Sequence, residues 1–400
     1  MTPAPDPVSP TTADEVAAAL RRAADARQTI AIRGAGTKGG WGRAGARADT
    51  ILDMRSLNRV LAHEHGDMTA TVEAGATLSD VNRALALHRQ WLPLDPPFAG
   101  QATIGGILAT NDSGPLRHRY GTPRDLVIGV QLATTDGALS KAGGRVVKNV
   151  AGYDLGKLVA GSFGGLAVIV SATFKLSPIP AASKTLRIDV ADAGALARAV
   201  GAVMKSPLEP IAFEIAALPV GRRFTGRRDD DGEPGRLALH LLVRFASLAV
   251  VAGAQIEQAL TLVKADAANT RVLDGDAEQS AWREHAESIW TGDGAIARAS
   301  WLPANIARVV DEIGDAALIG RAGVGAGLVR IAGDEEQQAR TIERLRASSF
   351  VGNVVVVRAP DAVKRRVDVW GSHGDRQPLF ESLKRAFDPA GVLNPGRGPL

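Results

Sequence analysis

The stretch IAIRGAGTKGGWG, residues 30–42, decides the fold class of this 400-residue chain. It contains a G-x-G-x-x-G pattern at Gly34, Gly36 and Gly39. In a dinucleotide-binding βαβ unit, a helix opens at the third glycine and its N-terminus holds the pyrophosphate. Here three more glycines follow by residue 45, and each costs about 1 kcal/mol relative to alanine inside a helix. The pattern therefore predicts a loop between two strands and argues against a βαβ nucleotide fold.

The next predicted strand supports the same interpretation. DTILDM, residues 49–54, begins too soon after the glycines for a βαβ crossover, and Asp53 lies inside this strand. A loop with several glycines can turn successive backbone N–H groups toward one anion, and Thr37 and Lys38 add a hydroxyl group and a positive charge. On this segment alone, a phosphate-binding loop and a merely flexible loop both remain open.

The composition limits the possible chemistry. The chain has 47 Lys and Arg against 43 Asp and Glu, and its pI is near 9.5. No basic run alternates with aromatic residues, which favours a solvated surface over a nucleic-acid site, and the charge also suits an anionic cofactor or substrate. Cysteine is absent, which excludes disulfides, thiol nucleophiles and iron–sulfur clusters in this sequence. Redox chemistry would therefore need an organic cofactor that passes electrons to a second molecule.

The sequence predicts a cytoplasmic protein of two domains. Residues 1–12 are rich in proline and lack an export signal, which predicts a flexible tail. The longest apolar stretch, residues 158–174, is interrupted by glycines and is too short for a membrane helix. Thr12 and Thr77 are predicted N-caps of two amphipathic helices. Beyond about residue 180, strands and helices alternate as in an antiparallel sheet covered by helices on one side.

A second cluster of small residues, TIGGILATNDSG at residues 103–114, precedes YGTPRDLVIGVQLATTDG and KNVAGYDLGKLVAGSFGGLAVIV. In this order and spacing, the motifs resemble the FAD-binding domain of the vanillyl-alcohol-oxidase family, also called PCMH-type. FDPAGVLNPGR is similar to that family's C-terminal signature, so the resemblance covers about residues 10–180 and 380–397. Within the family, KNVAGYDLGKLVAGS and VDVWG are most similar to the FAD-binding subunit of bacterial glycolate oxidase complexes, a relative of D-lactate and glycolate dehydrogenases.

The resemblance implies an α+β (mixed α/β) fold with three parts. These are a PCMH-type FAD-binding domain of two α+β subdomains over residues 13–180, an α+β cap or substrate domain over 181–375, and a C-terminal segment over 376–400 that returns to the first domain. The implied cofactor is FAD. Noncovalent attachment is expected, because relatives that bind FAD covalently use His or Cys in the matching loops, and this loop has Thr37 and Lys38.

The resemblance also implies which residues bind the cofactor. Tyr153 either forms a capping turn with Asp154 or shapes the isoalloxazine pocket. Arg397 either approaches the flavin or is solvated, and Ile169 would contact the adenine side. The pyrophosphate would contact the glycine loop through Gly34, Ala35, Gly36, Thr37 and Lys38. The flavin and ribityl chain would contact the second cluster through Thr103, Ile104, Gly105, Gly106, Ala109, Thr110, Asn111, Ser113 and Gly114.

Two departures from the family bear on catalysis. Phe163 stands in GSFGG where dehydrogenase relatives commonly have an acid, and the H-x-G-D-G-N-like metal-linked segment of catalytic relatives is missing. No metal site and no catalytic residue is therefore assigned. His373 in GSHGDRQP and the pair His63 and His65 in AHEHGD are interpreted as polar surface loops. Candidates for a substrate carboxylate clamp, which the sequence does not rank, are Arg298, Arg330 and Arg358.

The resulting hypothesis is an FAD-dependent oxidoreductase that works within a complex. By the resemblance, it would be the FAD-binding subunit of a glycolate oxidase, taking part in the oxidation of glycolate to glyoxylate. Its partners would be a second flavin subunit and an iron–sulfur subunit that accepts the electrons, and any membrane association would come through this complex. Two alternatives remain open: a self-sufficient FAD-linked oxidase or dehydrogenase of a D-2-hydroxy acid or polyol, and a non-catalytic subunit that carries flavin or assists assembly.

Overall fold

The computed structural model describes residues 7–44, 47–144, 153–220 and 237–399. The chain divides into two compact units: the first comprises Met1–Gly114, Tyr120–Ile179 and Ser372–Leu400, and the second comprises Pro115–Arg119 and Pro180–Gly371. Both units mix helices with sheets, so the predicted α+β fold class is confirmed. Residues 115–119, which the sequence analysis assigned to the first domain, group with the second unit.

The elements up to residue 179 are short. The strands over this described part of the chain are β1 (Pro7–Val8), β2 (Ile30–Arg33), β3 (Thr50–Asp53), β4 (Val60–Glu64), β5 (Thr69–Glu73), β6 (Gln90–Trp91), β7 (Val127–Ala133), β8 (Leu139–Gly143), β9 (Val168–Lys175) and β10 (Ser177–Pro178). The helices are α1 (Ala13–Asp25), α2 (Leu78–Ala86), α3 (Ile104–Thr110), α4 (Arg117–Tyr120), α5 (Pro123–Leu126) and α6 (Leu155–Val159).

The elements after residue 179 are longer. The strands described here are β11 (Ala182–Val190), β12 (Ala212–Pro219), β13 (Leu237–Ser247), β14 (Ala267–Leu273), β15 (Ala295–Ser300), β16 (Ala317–Arg321), β17 (Ala326–Ile331) and β18 (Val354–Arg358). The helices are α7 (Ala193–Lys205), α8 (Ala249–Val263), α9 (Gly275–Ser288), α10 (Ile306–Ile313), α11 (Glu335–Ala347), α12 (Asp361–Arg366) and α13 (Gln377–Phe387).

The first unit is built on small sheets. A parallel sheet has the order β1-β3-β2, an antiparallel sheet has the order β4-β5-β9-β7-β8, and β6 pairs with β10. The prediction of a flexible tail over residues 1–12 is wrong for Pro7 and Val8. These two residues form β1 and pair in parallel with Ile51 and Leu52 of β3.

Local sequence signals in the first unit are confirmed. The Thr12 hydroxyl accepts a hydrogen bond from the Glu15 amide and begins α1, and Thr77 begins α2 in the same way. An Asp-Gly pair predicts a hairpin turn between β7 and β8, and Gly137 there has φ +79°. Side chains that bond to nearby amides fix helix starts without tertiary help, which is why these positions could be read from sequence alone.

The small-residue segment after Thr103 forms the helix α3, a secondary structure that the sequence analysis did not assign to it. Ile104, Ile107 and Leu108 of α3 are buried in the core of the first unit, and this packing outweighs the poor helix propensity of two glycines. Gly105 allows the helix to approach β5, since a Cβ atom there would lie 2.8 Å from the Ala74 Cβ. The small residues of this segment thus allow its backbone to lie close to the neighbouring part of the chain.

The C-terminal segment after α13 packs against β2. The Ile30 amide donates to Val392 O and the Asn394 amide donates to Ile30 O, each at 2.8 Å, and Ile30 forms a parallel bridge with Leu393. Val392 and Leu393 are buried in the same apolar core as Ile30 and α1. The last described residues of the chain therefore extend the sheet that carries the glycine loop.

The second unit contains one eight-stranded sheet, in which the described strand pairs are antiparallel. Its order is β14-β11-β13-β12-β16-β17-β15-β18. Alternate residues of the strands pack with the apolar faces of α7, α8, α10 and α11 in one core. The prediction that helices cover one side only is wrong, because α9 contacts residues of the opposite face, including Thr185 and Glu214.

Within the described ranges, no helix is both long enough and apolar enough to cross a membrane. Residues 145–152, which include the whole motif KNVAG (148–152), lie outside the described residues.

Candidate FAD-binding site

The glycine loop after β2 contains no helix, as the sequence predicts. Gly34 lies directly against the start of α3: a Cβ atom on Gly34 would lie 2.2 Å from Thr103 Oγ1. Gly36 has φ +75°, a conformation that glycine adopts without strain. Gly34 thus allows the loop to lie close to α3, and Gly36 allows a left-handed turn. Neither glycine begins a helix.

Lys38 places a buried positive charge in this loop. Only 6% of its side chain is exposed, and its Nζ lies 4.0 Å from Asp112 Oδ2 and 5.5 Å from the centre of the Trp41 ring. A buried ammonium group needs a nearby countercharge, and Asp112, itself 5% exposed, supplies one. The loop therefore holds a cation next to its backbone amides.

The first amides of α3 are used within the protein. Ile104 N donates to Ala76 O at 2.9 Å and Gly105 N donates to Ala74 O at 2.7 Å. These bonds satisfy two of the amides that a helix N-terminus leaves without an intrahelical partner. An anion at this place would therefore contact the glycine loop and the small side chains of α3 more than the helix end.

Phe163 and Gly164 form a left-handed turn, with φ +55° and +71°. The Phe163 amide donates to Ala109 O at 2.9 Å, and the Phe163 carbonyl accepts from Asn394 Nδ2 at 2.6 Å. Asn394 Oδ1 in turn accepts from Ile32 N at 2.9 Å. The motif NPGR thereby joins β2 to the GSFGG segment, a role for Asn394 that sequence reasoning did not assign.

The Arg397 side chain donates hydrogen bonds to two backbone carbonyls of the glycine loop. Its Nε donates to Trp41 O at 3.2 Å, and its Nη2 donates to Lys38 O. Burial lowers the pKa of Arg397 from its usual value. The side chain is thus a structural part of the loop rather than a solvated group.

These segments enclose a cavity of about 280 Å³ that is lined by first-unit residues. The lining includes residues that the sequence analysis did not assign to the cofactor, among them Phe163, Gly164 and Asn394. The predicted residues that line it are Gly34, Ala35, Gly36, Thr37, Lys38, Thr103, Gly105, Gly106, Ala109, Thr110, Ile169 and Arg397.

Five predicted residues do not line this cavity. Ile104 is fully buried, Asn111 ends α3 with its Oδ1 accepting from Arg124 N, and Gly114 packs against Asp95. Tyr153 is 91% exposed, which argues against a contact with the isoalloxazine ring and against a buried capping role. The N-cap of α6 is Asp154, whose side chain accepts a hydrogen bond from Lys157 N. The fifth is Ser113.

The other polar residues singled out from the sequence lie elsewhere. His63 is in β4, not in a loop, and its Nε2 lies 2.8 Å from Gln90 Oε1. His65 is exposed beyond the end of this strand. His373 precedes a short turn and its ring packs edge-on against Phe380 at 4.8 Å. Among the residues that the structure describes, no group of three or more His, Asp or Glu side chains could hold a metal ion.

The three candidate arginines lie on one face of the second unit's sheet. Ile296 pairs with both Arg330 and Arg358, and Arg298 is two residues further along β15. Arg358 Nη2 donates to Trp290 O at 3.1 Å, and burial lowers the pKa of Arg358. The carboxylate clamp stays a prediction for these three positions.

The same face holds a buried polar cluster that the sequence analysis did not find. His285 Nε2 lies 3.1 Å from Glu214 Oε2, and Arg321 Nε lies 3.4 Å from Glu214 Oε1. His240 is beside them, 6.4 Å from His285 between ring centres, and burial lowers the pKa of His240 well below its usual value. Glu214 and His285 come from distant elements, so no spacing in the sequence indicates the pair.

Comparison with known proteins gives the cofactor that the sequence analysis expects. Residues 7–143 match the family model described as FAD binding domain, and residues 374–397 match the model described as FAD linked oxidases, C-terminal domain. These two ranges meet at one cavity, since the first carries the glycine loop and α3 and the second carries Asn394 and Arg397.

Two curated relatives are glycolate oxidase subunits. Subunit GlcD of Bacillus subtilis is 32% identical over 212 residues, 53% of this chain and 45% of that protein, and subunit GlcE of Escherichia coli is 33% identical over 193 residues, 48% of this chain and 53% of that protein. The chain thus spans about half the length of these relatives. A solved alkyldihydroxyacetonephosphate synthase aligns with a TM-score of 0.70 over 98% of this chain and 77% of its own, at 17% identity, which shows the fold alone.

The first unit is therefore an FAD-binding domain of the PCMH type, and its cofactor is FAD. The chain is related in sequence to glycolate oxidase subunits over about half of their length.

Proposed function

We propose that this protein is the FAD-binding subunit of a glycolate oxidase (glycolate dehydrogenase) complex, which oxidises glycolate to glyoxylate. The observation that carries the proposal is the single cavity at which the glycine loop, α3 and the NPGR segment meet. Similarity to two glycolate oxidase subunits supports the choice of substrate. By the same proposal the protein acts in the cytoplasm and reaches a membrane only through its complex.

Several residues that line this cavity are glycine or alanine, whose small size would leave room for a dinucleotide. Gly34, Gly36, Thr37 and Lys38 would hold the pyrophosphate through loop amides, a hydroxyl and the buried ammonium group. The small residues of α3, Gly105, Gly106, Ala109 and Thr110, would line the ring system. Bound FAD supplies a two-electron acceptor, and the conversion of glycolate to glyoxylate releases two electrons and two protons.

The proposal assigns the onward transfer of electrons to other chains. This sequence has no cysteine, so thiolate-bound iron–sulfur clusters would be on a partner subunit. We propose that an iron–sulfur subunit and a second flavin subunit complete the complex. Phe163 on the cavity wall, where dehydrogenase relatives commonly have an acid, supports dependence on these partners.

Anaerobic reduction of the bound flavin tests the function. The purified chain, loaded with FAD, is mixed with glycolate or D-lactate, alone and with its co-expressed partner subunits, and flavin absorbance is followed. We expect bleaching by glycolate only with the partners present. Bleaching of the pure chain by D-lactate would instead favour a self-sufficient dehydrogenase, and no bleaching in any mixture would favour a flavin carrier.

Gly34→Ala tests the FAD site itself, with Gly40→Ala as its matched control. Its new Cβ meets Thr103 Oγ1, so we expect the FAD dissociation constant to rise about tenfold, or about 1.4 kcal/mol. Gly40→Ala in the same loop has open space around its Cβ and is expected to bind FAD as the unmodified chain does. Flavin fluorescence titration compares the two. Equal affinity of both variants would contradict the assignment of this cavity to FAD.

A further inference from the structure

Asn394 joins two parts of the cavity wall through its side-chain amide. Its Oδ1 accepts from Ile32 N at 2.9 Å, on the strand that leads into the glycine loop, and its Nδ2 donates to Phe163 O at 2.6 Å. Ile32, Phe163 and Asn394 all line the cavity. Asn394 is 7% exposed, so losing either bond would leave a buried backbone group without its partner.

Phe163 needs this support to keep its conformation. Its φ of +55° places a bulky residue in the left-handed region, which costs about 1–3 kcal/mol unless neighbouring contacts fix it. The Phe163 amide is held by Ala109 O, and its carbonyl is held by Asn394. Gly164, the next residue, packs so closely that a Cβ there would lie 2.6 Å from Asn394 Nδ2. Without the amide of Asn394, the turn could relax and the cavity wall would move with it.

A partly buried ion pair holds the segment that carries Asn394. Lys384 Nζ donates to Gly165 O at 2.8 Å and to Leu393 O at 3.1 Å, and it lies 2.7 Å from Asp388 Oδ2. The Asp388 carboxylate accepts from the amides of Val392 and Leu393, each at 2.9 Å. Lys384 therefore fixes the residues before Asn394 against the same turn that Asn394 contacts.

We propose that Asn394 is a positioning residue for FAD, which sets the spacing between β2 and the turn at residues 163–165 and so determines the width of the cavity. Both functional groups of its side chain are bonded to backbone of the cavity wall, so its effect on FAD affinity acts through the shape of the wall. Lys384 and Asp388 keep it in register. Its own φ of +43° is one that asparagine, aspartate and glycine tolerate, which restricts what can replace it.

Asn394→Gly in the full chain is the main test, because it removes the side chain and keeps the backbone conformation. We expect the FAD dissociation constant, measured by flavin fluorescence titration without substrate, to rise about tenfold or more, which corresponds to about 1.4 kcal/mol. The visible circular dichroism of the bound flavin is expected to change, since its surroundings shift. Asn394→Asp retains the acceptor for Ile32 N but places a carboxylate oxygen against the Phe163 carbonyl oxygen, and we expect this repulsion to lower FAD affinity as well.

Asn82→Ala is a matched control in the same unit. The Asn82 side chain also bridges backbone, with Oδ1 accepting from Leu92 N at 2.8 Å and Nδ2 donating to Leu92 O at 3.2 Å, but it does not line the cavity. We expect it to lower the melting temperature of the FAD-free chain while the FAD dissociation constant stays within about threefold.

Two results would overturn the proposal. One is an Asn394→Gly protein whose flavin affinity and circular dichroism match those of the unmodified chain, and the other is an equal loss of affinity in Asn82→Ala. If Asn394→Gly does not fold, unchanged affinity and spectrum in Asn394→Asp have the same meaning. None of these measurements uses glycolate, so the outcome is independent of the proposed substrate.

Discussion

At the scale of single residues, Asp53 lies near the position of the ribose-binding acid of a βαβ nucleotide fold, but it forms ion pairs with arginines instead. Its carboxylate, 4% exposed, ends β3 and accepts hydrogen bonds from Arg55 Nη2 at 2.7 Å and Arg33 Nη2 at 2.9 Å. In a βαβ nucleotide fold an acid at this distance from the glycines bonds the ribose. Here its bonds go to two arginines, and Asp53 does not line the cavity.

This arrangement predicts a pH-dependent contribution to stability. Hydrogen bonds from Arg55, then from Arg33, lower the pKa of Asp53 to about 2. Because this pKa is below the unfolded value of about 3.9, the ionised carboxylate stabilises the fold above about pH 4, and the stabilisation is lost as the pH falls toward about 2. Asp53→Asn should cost about 1–2 kcal/mol at pH 7, after solvent screening of the exposed arginines, and progressively less below pH 4.

Urea unfolding at pH 7, 4 and 3 measures this difference. Asp67→Asn, at an exposed turn after β4, serves as the control and should change the free energy of unfolding by less than about 0.5 kcal/mol. A cost of Asp53→Asn that stays constant from pH 7 to pH 3 would contradict the argument.

Residues whose role depends on local geometry could be predicted from the sequence, and residues that act across the chain could not. Thr12 and Thr77 bond to amides three residues away, so their capping role is visible in the sequence. Asn394 bonds to Ile32, which lies 362 positions earlier in the chain, and no local sequence pattern predicts a contact over that separation. The motif NPGR drew attention to Arg397, but the asparagine of the same motif makes the bonds that join the cavity wall.

At the scale of elements, α9 shows why a helix that packs on a sheet can lack an apolar periodicity. Its residues Glu278, Trp282 and His285 all face the sheet, although a surface helix normally turns apolar residues inward. Glu278 accepts from the hydroxyls of Ser183 and Thr185, each at 2.6 Å. Trp282 Nε1 donates to Thr185 Oγ1 at 2.8 Å. An interface made of hydrogen bonds leaves no apolar periodicity in the sequence, whereas α7 and α10 do show one.

Removing the carboxylate of Glu278 should weaken the attachment of α9. The two hydroxyls and Arg244 Nε, 3.3 Å from Glu278 Oε1, would lose their buried partner. Glu278→Ala is therefore expected to cost about 2–4 kcal/mol in the free energy of unfolding. Glu284→Ala, on the exposed side of the same helix, should cost less than about 0.5 kcal/mol. Equal urea midpoints for the two variants would show that α9 does not depend on this bond network.

At the scale of the whole molecule, the two units should respond differently to the cofactor. The residues that line the cavity belong to the first unit, so FAD stabilises that unit's folded state directly. At a free FAD concentration of 100 times its dissociation constant, the gain is about 2.7 kcal/mol. Hydrogen exchange should slow in peptides that cover the glycine loop, α3 and residues 392–397, and stay unchanged in β12 and β13 of the second unit. Equal slowing in both units would contradict this assignment.

The bridge between Ile30 and Leu393 has a consequence for biosynthesis. A growing chain emerges with its glycine loop early, yet the stretch that closes the wall beside it is made only after the entire second unit. We therefore expect a nascent chain to bind flavin tightly only after residues 392–397 have been made and have paired with β2.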